Sequence, residues 1–120
     1  SRLAAQLVER GIHLAELIPI RNKVAVVDEY VAAFRAAGIE VVAGTEHNTA
    51  DRIPFDPACT DGPMSDFARA EFWRGTCIVA AHQERVAAGL PGYVDDGGAL
   101  AADVEELVAE GAAIIAGPKE

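Results

Sequence analysis

The sequence predicts an α/β fold, a partial β/α barrel in which a βαβ unit with two parallel strands precedes a helical C-terminal half. Residues 12–19 form an apolar run typical of a strand, residues 23–37 carry a helical stripe, and residues 39–43 are a β-branched run. A strand, a helix and a strand in that order indicate parallel pairing through a right-handed crossover. From residue 65 onward, alanine-rich helical patterns dominate.

The first half begins with a short helix over residues 3–10 that Gly11 ends. The strand over residues 12–19 ends at Pro19, which has no N–H group to donate to a sheet. The helix over residues 23–37 is the clearest in the sequence, because apolar residues recur on one face at spacings of three and four. Those residues are Val24, Val27, Val31 and Phe34.

The second half begins with an aperiodic stretch that reaches residue 64. Loops longer than about 12 residues are often functional. Ser65 is placed to cap a helix that runs from about Asp66 to Ala88, in which Gly75 allows a break. Phe72 and Trp73 are expected to be packing residues. A last helix is predicted over residues 99–115, with the stripe Leu100, Val104, Leu107 and Val108. We expect one domain over residues 1–120, divided into a barrel-like portion (1–48), a loop (49–64) and a helical portion (65–120).

Composition argues against several classes of function. The net charge is −9 with only 10 basic residues, whereas nucleic-acid and anionic membrane surfaces need clustered Lys and Arg. No apolar run approaches the length of a spanning helix, which is about 18 residues. Cys59 and Cys77 lack a CxxC spacing and are expected to be reduced thiols. We therefore expect a cytoplasmic protein that binds neither nucleic acid nor membrane.

The candidate chemical groups lie where the two predicted strands end, the position at which parallel α/β folds bind ligands. Glu16 interrupts an apolar strand, so its carboxylate faces either water or a site. In the segment from Gly44 to Asn48, Glu46 and His47 are a donor pair suited to zinc, manganese or iron. Side chains alternate along a strand, so both reach one ion only if the backbone turns, which Gly44 permits. The alternative is that His47 and Asn48 cap the loop and Glu46 is solvated.

Other polar residues carry weaker signals. Arg21 and Asn22 follow Pro19 and are placed either to contact an anionic group such as a phosphate or to form an ordinary loop pair. His13 and His82 are expected to be structural. The loop also holds candidate ligands whose spacing matches no metal motif, and these are Asp56, Cys59, Asp61 and Asp66.

The stretch from Gly11 to Asn48 resembles the C-terminal part of PHP (polymerase and histidinol phosphatase) domains. In that family a strand like Gly-x-x-x-Ile-Glu-Val-Tyr precedes a helix and then a strand like Gly-Leu-x-Val-Thr-Gly-Gly-Ser-Asp-x-His. Here Glu16 takes the acidic position of the first strand, and the second reads Gly-Ile-Glu-Val-Val-Ala-Gly-Thr-Glu-His-Asn. The family aspartate falls on Glu46 and the family histidine on Asn48, while a histidine stands one position earlier at His47.

The resemblance implies a distorted barrel that binds two or three metal ions and hydrolyses phosphoesters. It implies that Glu46, His47 and Glu16 are metal ligands (Zn, Mn or Fe). Together with their placement after the strand ends, it makes Arg21, Asn22 and Asn48 the expected contacts to a small phosphorylated substrate. The family's His-x-His segment has no counterpart in residues 1–10. We therefore expect a C-terminal fragment whose partner is the remainder of the parent chain. In isolation the fragment is expected to be inactive, either with or without bound metal ions.

Two alternatives stay open at this point. The chain is also compatible with a non-catalytic α/β interaction or oligomerisation module, since a two-stranded sheet leaves edges that a homodimer or covering helices would bury. It is equally compatible with a fragment of another metal-dependent β/α-barrel hydrolase or isomerase whose strands end in similar residues.

Overall fold

A computed structural model of the chain describes residues 2–19, 22–44, 59–95 and 97–117. Within these ranges the elements follow one another in the order helix, strand, helix, strand, helix, helix. Their bounds are α1 Arg2–Glu9, β1 Leu14–Leu17, α2 Val24–Ala36, β2 Glu40–Ala43, α3 Asp66–Ala87 and α4 Val104–Ala116.

The two strands form a parallel sheet, which confirms the predicted βαβ unit and the α/β fold class. Leu14 is aligned with Glu40 and Leu17 with Ala43. The pairing is flanked by two further hydrogen bonds, from the Glu40 N–H to the His13 carbonyl (2.9 Å) and from the Gly44 N–H to the Leu17 carbonyl (2.6 Å). Strand β1 is shorter than the predicted 12–19, because the Ile12 N–H instead donates to the Leu7 carbonyl at the end of α1 (3.0 Å).

Helix α2 buries the face that the sequence predicted. Val27, Val31 and Phe34 are each at most 2% exposed. They pack in one cluster with Val41 of β2 and Phe72 of α3. Because alternate strand residues share a face, Ala15, Leu17 and Ala43 lie on the same side of the sheet and pack against this cluster.

Helix α3 runs through Gly75 without the break that the sequence allowed there. A Cβ atom at Gly75 would overlap with the backbone carbonyl of Val41. Glycine at position 75 therefore allows α3 to approach β2 closely. The Val41 carbonyl points away from β1, since the neighbouring Glu40 bonds to β1, and α3 thereby covers the outer edge of β2.

The start of α3 agrees with the sequence prediction. The Ser65 hydroxyl accepts a hydrogen bond from the Ala68 N–H at 3.0 Å, which satisfies one of the free donors of the first turn. The aromatic prediction is half right. Phe72 is 4% exposed, whereas Trp73 is 45% exposed and so is not a core residue.

Helix α4 begins at Val104, later than the predicted residue 99. Asp103 ends the preceding segment, because its carboxylate accepts from the N–H groups of Glu105 (2.8 Å) and Glu106 (3.2 Å). Leu100 instead forms an isolated bridge with Val94 and is 51% exposed, so it does not belong to the helical stripe. Leu107 is fully buried, as expected, in a second cluster with Ile78, Ala81 and Tyr93.

Helices α3 and α4 make an extensive contact through a second glycine. A Cβ atom at Gly111 would overlap with the Cys77 carbonyl, so the two backbones approach closely there. Among the helices of the described ranges, none combines the length and apolar character needed to cross a membrane.

Candidate functional site

The carboxyl ends of β1 and β2 lie side by side, as parallel pairing requires. Leu17 is aligned with Ala43, so the residues that follow each strand emerge at the same edge of the sheet. This is the edge at which parallel α/β folds place their ligands. The sequence prediction that both polar segments share one end of the sheet is consistent with this register.

Glu16 reaches across from β1 to the end of β2. A Cβ atom at Gly44 would overlap with Oε1 of Glu16, so the carboxylate lies directly against the glycine backbone. Glu16 itself is exposed to solvent. The Glu16 carboxylate therefore keeps its contact with solvent and lies beside Gly44, the residue that precedes the segment 45–48.

Glu46, His47 and Asn48 lie in residues 45–58, and Arg21 lies in residues 20–21, outside the described residues. Their predicted roles as metal ligands and substrate contacts stay predictions. Within the described ranges, no group of three or more His, Cys, Asp or Glu side chains is placed to hold a metal ion. Glu16 is thus the one proposed ligand whose position the structure gives.

Asn22 forms three hydrogen bonds that stabilise the local backbone. Its side-chain nitrogen donates to the Ile18 carbonyl at 2.9 Å, and its backbone N–H donates to the Pro19 carbonyl, also at 2.9 Å. Its own carbonyl accepts from the Thr60 N–H at 2.8 Å. The turn after β1 is therefore closed by Asn22 and joined to the segment that leads into α3.

That segment explains two loop residues considered as ligands. The Asp61 carboxylate accepts a hydrogen bond from the Val24 N–H at 2.8 Å and so caps the N-terminus of α2. Its negative charge is also stabilised there by the helix dipole. Cys59 is buried in the main core cluster, and burial, followed by the charges of Asp61 and Asp28, raises the pKa of its thiol. A protonated, buried thiol is a packing residue and a poor nucleophile.

Both described histidines outside the strand ends have structural contacts, in line with the prediction for them. His13 Nε2 lies 2.9 Å from the Gly98 carbonyl, and the ring stacks edge-on against Tyr93. His82 Nδ1 accepts from the Tyr93 N–H at 2.8 Å. A Cβ atom at Gly92 would overlap with the His82 ring, so glycine is needed where the turn crosses it.

Sequence reasoning missed the most buried carboxylate of the described residues. Glu40 is 3% exposed and lies between two guanidinium groups, with Arg35 Nη1 at 2.8 Å and Arg74 Nε at 3.0 Å. Arg35 continues to Glu71 (2.9 Å), and Arg74 continues to Glu105 (2.6 Å). The network joins α2, β2, α3 and α4. The only sign of it in the sequence is Glu40, an acidic residue in an otherwise β-branched strand.

Tyr93 lies near this network. Its hydroxyl donates to the His13 carbonyl at 2.8 Å. Burial, with a contribution from the Glu40 charge, raises the pKa of Tyr93 to about 12. A phenol held protonated in this way is a hydrogen-bond donor and does not act as a base at neutral pH.

A cleft of about 600 Å³ lies away from the strand ends, between the C-terminal part of α3 and α4. Apolar residues such as Leu90, Pro91 and Ile114 line it. Arg85 and Glu110 form a bidentate ion pair in its wall, and this pairing lowers the pKa of the Glu110 carboxyl. Among the described residues that line the cleft, the single cation is paired, and no acid, base and nucleophile are arranged together.

Comparison of the chain with protein-family models, with curated proteins and with solved structures finds no match.

Proposed function

We propose that this chain supplies two neighbouring strand ends to the divalent-metal site of a PHP-like phosphoesterase, together with the remainder of a longer parent protein. Glu16, Glu46 and His47 are the proposed ligands. Arg21 and Asn48 are the proposed contacts to a small phosphorylated substrate, whereas Asn22, predicted as a third contact, donates its side-chain amide to the Ile18 carbonyl. The isolated chain is proposed to bind a metal ion through these three ligands but to be inactive, because the remaining ligands of such a multi-metal site would come from outside it.

One observation supports the proposal above the others, namely the position of Glu16 against Gly44. It brings an exposed carboxylate from β1 to the point where β2 ends, two residues before Glu46. Carboxylate and imidazole donors together fit zinc, manganese and iron. The adjacent carboxyl ends of the parallel strands are the expected place for such a site.

The chemistry of the donors sets the proposed roles. A bound divalent ion would lower the pKa of a water ligand and neutralise charge on the phosphoryl group. The carboxylates of Glu16 and Glu46 would compensate the charge of the ion. Arg21, with its planar set of donors, would orient the phosphate oxygens.

Calorimetric titration of the purified chain with Mn²⁺ and Zn²⁺, after dialysis against a chelator, tests the proposal. We expect stoichiometric binding that the double variant Glu46→Ala/His47→Ala removes. Gly44→Ala should weaken binding as well, because the added methyl group displaces the Glu16 carboxylate. Because the end of a flexible side chain can move aside, this variant should fold normally.

Glu29→Gln is the matched control, since it removes an exposed carboxylate from the middle of α2. It should leave metal binding unchanged. Equal loss of binding in Glu29→Gln and in the double variant would mean that metal associates with the acidic surface in general. Wild-type affinity in the double variant would exclude Glu46 and His47 as ligands.

A second candidate function, a non-catalytic module that self-associates, is favoured by one observation. Trp73 of α3 is 45% exposed, and tryptophan is a residue type enriched in protein interfaces. Sedimentation velocity distinguishes the two cases. A dimer that Trp73→Ser dissociates would support this candidate, and a monomer at high concentration would count against it.

A further inference from the structure

On the outer edge of β1, backbone groups have no partner among the described residues. His13 and Leu17 use their carbonyls to bond to β2, and in a parallel ladder the intervening Ala15 faces the same way. The N–H and C=O groups of Leu14 and Glu16 therefore point away from β2. No described residue pairs with them, since the sheet has two strands. The corresponding edge of β2 is covered by α3 at Gly75.

An apolar surface adjoins this bare edge. Two hollows of about 190 and 210 Å³ share Leu14, Tyr93 and Val94 in their walls. A third hollow of about 290 Å³ continues from the first through Val79 and reaches Val42 on β2. Leu14, Glu16 and Val42 lie on one face of the sheet, because Glu16 is aligned with Val42 and alternate residues share a face.

The backbone groups of Leu14 and Glu16 specify the kind of partner. They are two residues apart, and so repeat at about 6.6 Å along the edge, a spacing that an extended polypeptide matches with its own N–H and C=O groups. Alternate side chains of such a segment would point to the apolar surface. The chemistry of the edge thus favours a strand over a small molecule.

The charges around the edge further specify the partner. Glu16 is exposed and has no ion pair among the described residues, whereas Arg35, Arg74 and Arg85 are all paired with glutamates inside the fold. The chain as a whole carries a net charge of −9. A second copy would bring the same charge and the same carboxylate to the edge, and like charges placed opposite each other in a sheet are unfavourable.

We infer that the outer edge of β1 is a docking site for an extended peptide segment of another protein, with alternating apolar residues and a lysine or arginine opposite Glu16. The segment adds a third strand to the sheet. Its backbone bonds to Leu14 and Glu16, its apolar side chains cover Leu14 and Val94, and its cation pairs with the Glu16 carboxylate. The inference concerns the chain on its own and does not depend on metal binding. In the proposed parent barrel, a neighbouring strand of the parent protein would occupy this edge instead.

Selection from a displayed library of random nine-residue peptides, on the immobilised chain in buffer with a chelator, tests the inference. The chelator keeps the result separate from the proposed metal site. We expect the enriched peptides to alternate apolar residues and to contain lysine or arginine. Glu16→Lys should weaken their binding about tenfold, because an attractive cross-strand pair becomes a repulsive one. Methylation of alternate peptide nitrogens should abolish it.

Amide exchange locates the bound peptide. The Leu14 and Glu16 amides should exchange faster than the Ala15 amide in the free chain, and the peptide should slow them while leaving Ala15 unchanged. Peptides that bind Glu16→Lys equally well, or that protect residues elsewhere, would overturn the inference. Protection of Leu14 and Glu16 in the free monomer would show that the chain covers its own edge, and protection in a dimer would show that a second copy does. Either result would overturn it too.

Discussion

At the scale of single residues, Glu40 is the carboxylate on which the charge network depends. Substituting Glu40→Gln leaves Arg35 and Arg74 without their shared anion in a position that is 3% exposed. We expect a loss of about 2 to 3 kcal/mol in the free energy of unfolding, since removing one partner of a buried ion pair is strongly destabilising. Urea denaturation measures it. Glu29→Gln, on the exposed face of α2, should change stability by less than about 0.5 kcal/mol, and a similarly small effect at Glu40 would contradict the role assigned to it.

Tyr93 gives a pH dependence at the same scale. Its pKa is raised from 10.0 to about 12 in the folded chain. Above pH 10 the unfolded chain releases this proton while the folded chain keeps it, so stability is lost as the pH rises from 10 to 12. The loss should be about 2 kcal/mol and should be absent in Tyr93→Phe. Urea denaturation of both chains across this range measures it, and parallel pH profiles would refute the assignment.

Residue by residue, the sequence indicated which groups are polar but not which are buried. Glu16 and Glu40 each interrupt an apolar strand, and sequence reasoning chose Glu16 as the notable one. Glu16 is in fact exposed, whereas Glu40 is buried between two arginines that come from other elements. Pairing over 34 residues, as between Glu40 and Arg74, depends on tertiary structure and has no local signal.

At the scale of elements, Gly75 determines how closely α3 can approach β2. Glycine to alanine in an open helix stabilises by up to about 1 kcal/mol. Here the added methyl group would overlap with the rigid Val41 carbonyl, so we expect Gly75→Ala to destabilise by about 2 kcal/mol. Gly111→Ala, which meets the Cys77 carbonyl, should have the same sign. Thermal and urea unfolding measure both, and stabilisation at either position would show that the helix is not in close contact there.

The elements themselves were largely predictable, because apolar periodicity carries most of their signal. Helix α2 and the stripe Val27, Val31 and Phe34 follow directly from it. The predicted start of the last helix, at residue 99, was wrong because Leu100 extends the apolar periodicity of α4 toward the N-terminus. The Asp103 cap and the bridge between Val94 and Leu100 decide that boundary instead. Contacts such as Asp61 capping α2 were not predictable, since the cap comes from a distant segment.

At the scale of the whole molecule, the fold brings two strand ends together and leaves the outer edge of β1 without a partner in the part of the chain that the structure describes. The first feature follows from the βαβ order and was predictable. The second was not, because it depends on α3 covering β2 while β1 has no described neighbour on its outer side. The resemblance to PHP domains concerns the first feature, and the proposed peptide-docking site concerns the second.

The central claim is that the strand ends bind a divalent metal, and paramagnetic broadening by Mn²⁺ in the NMR spectrum of the isotope-labelled chain tests it most directly. We expect the amide signals of Glu16 and Gly44 to broaden first at substoichiometric Mn²⁺, and Glu46→Ala/His47→Ala to abolish the effect. Broadening that begins instead at acidic helix positions such as Glu84 and Glu106, or that persists unchanged in the double variant, would contradict the claim.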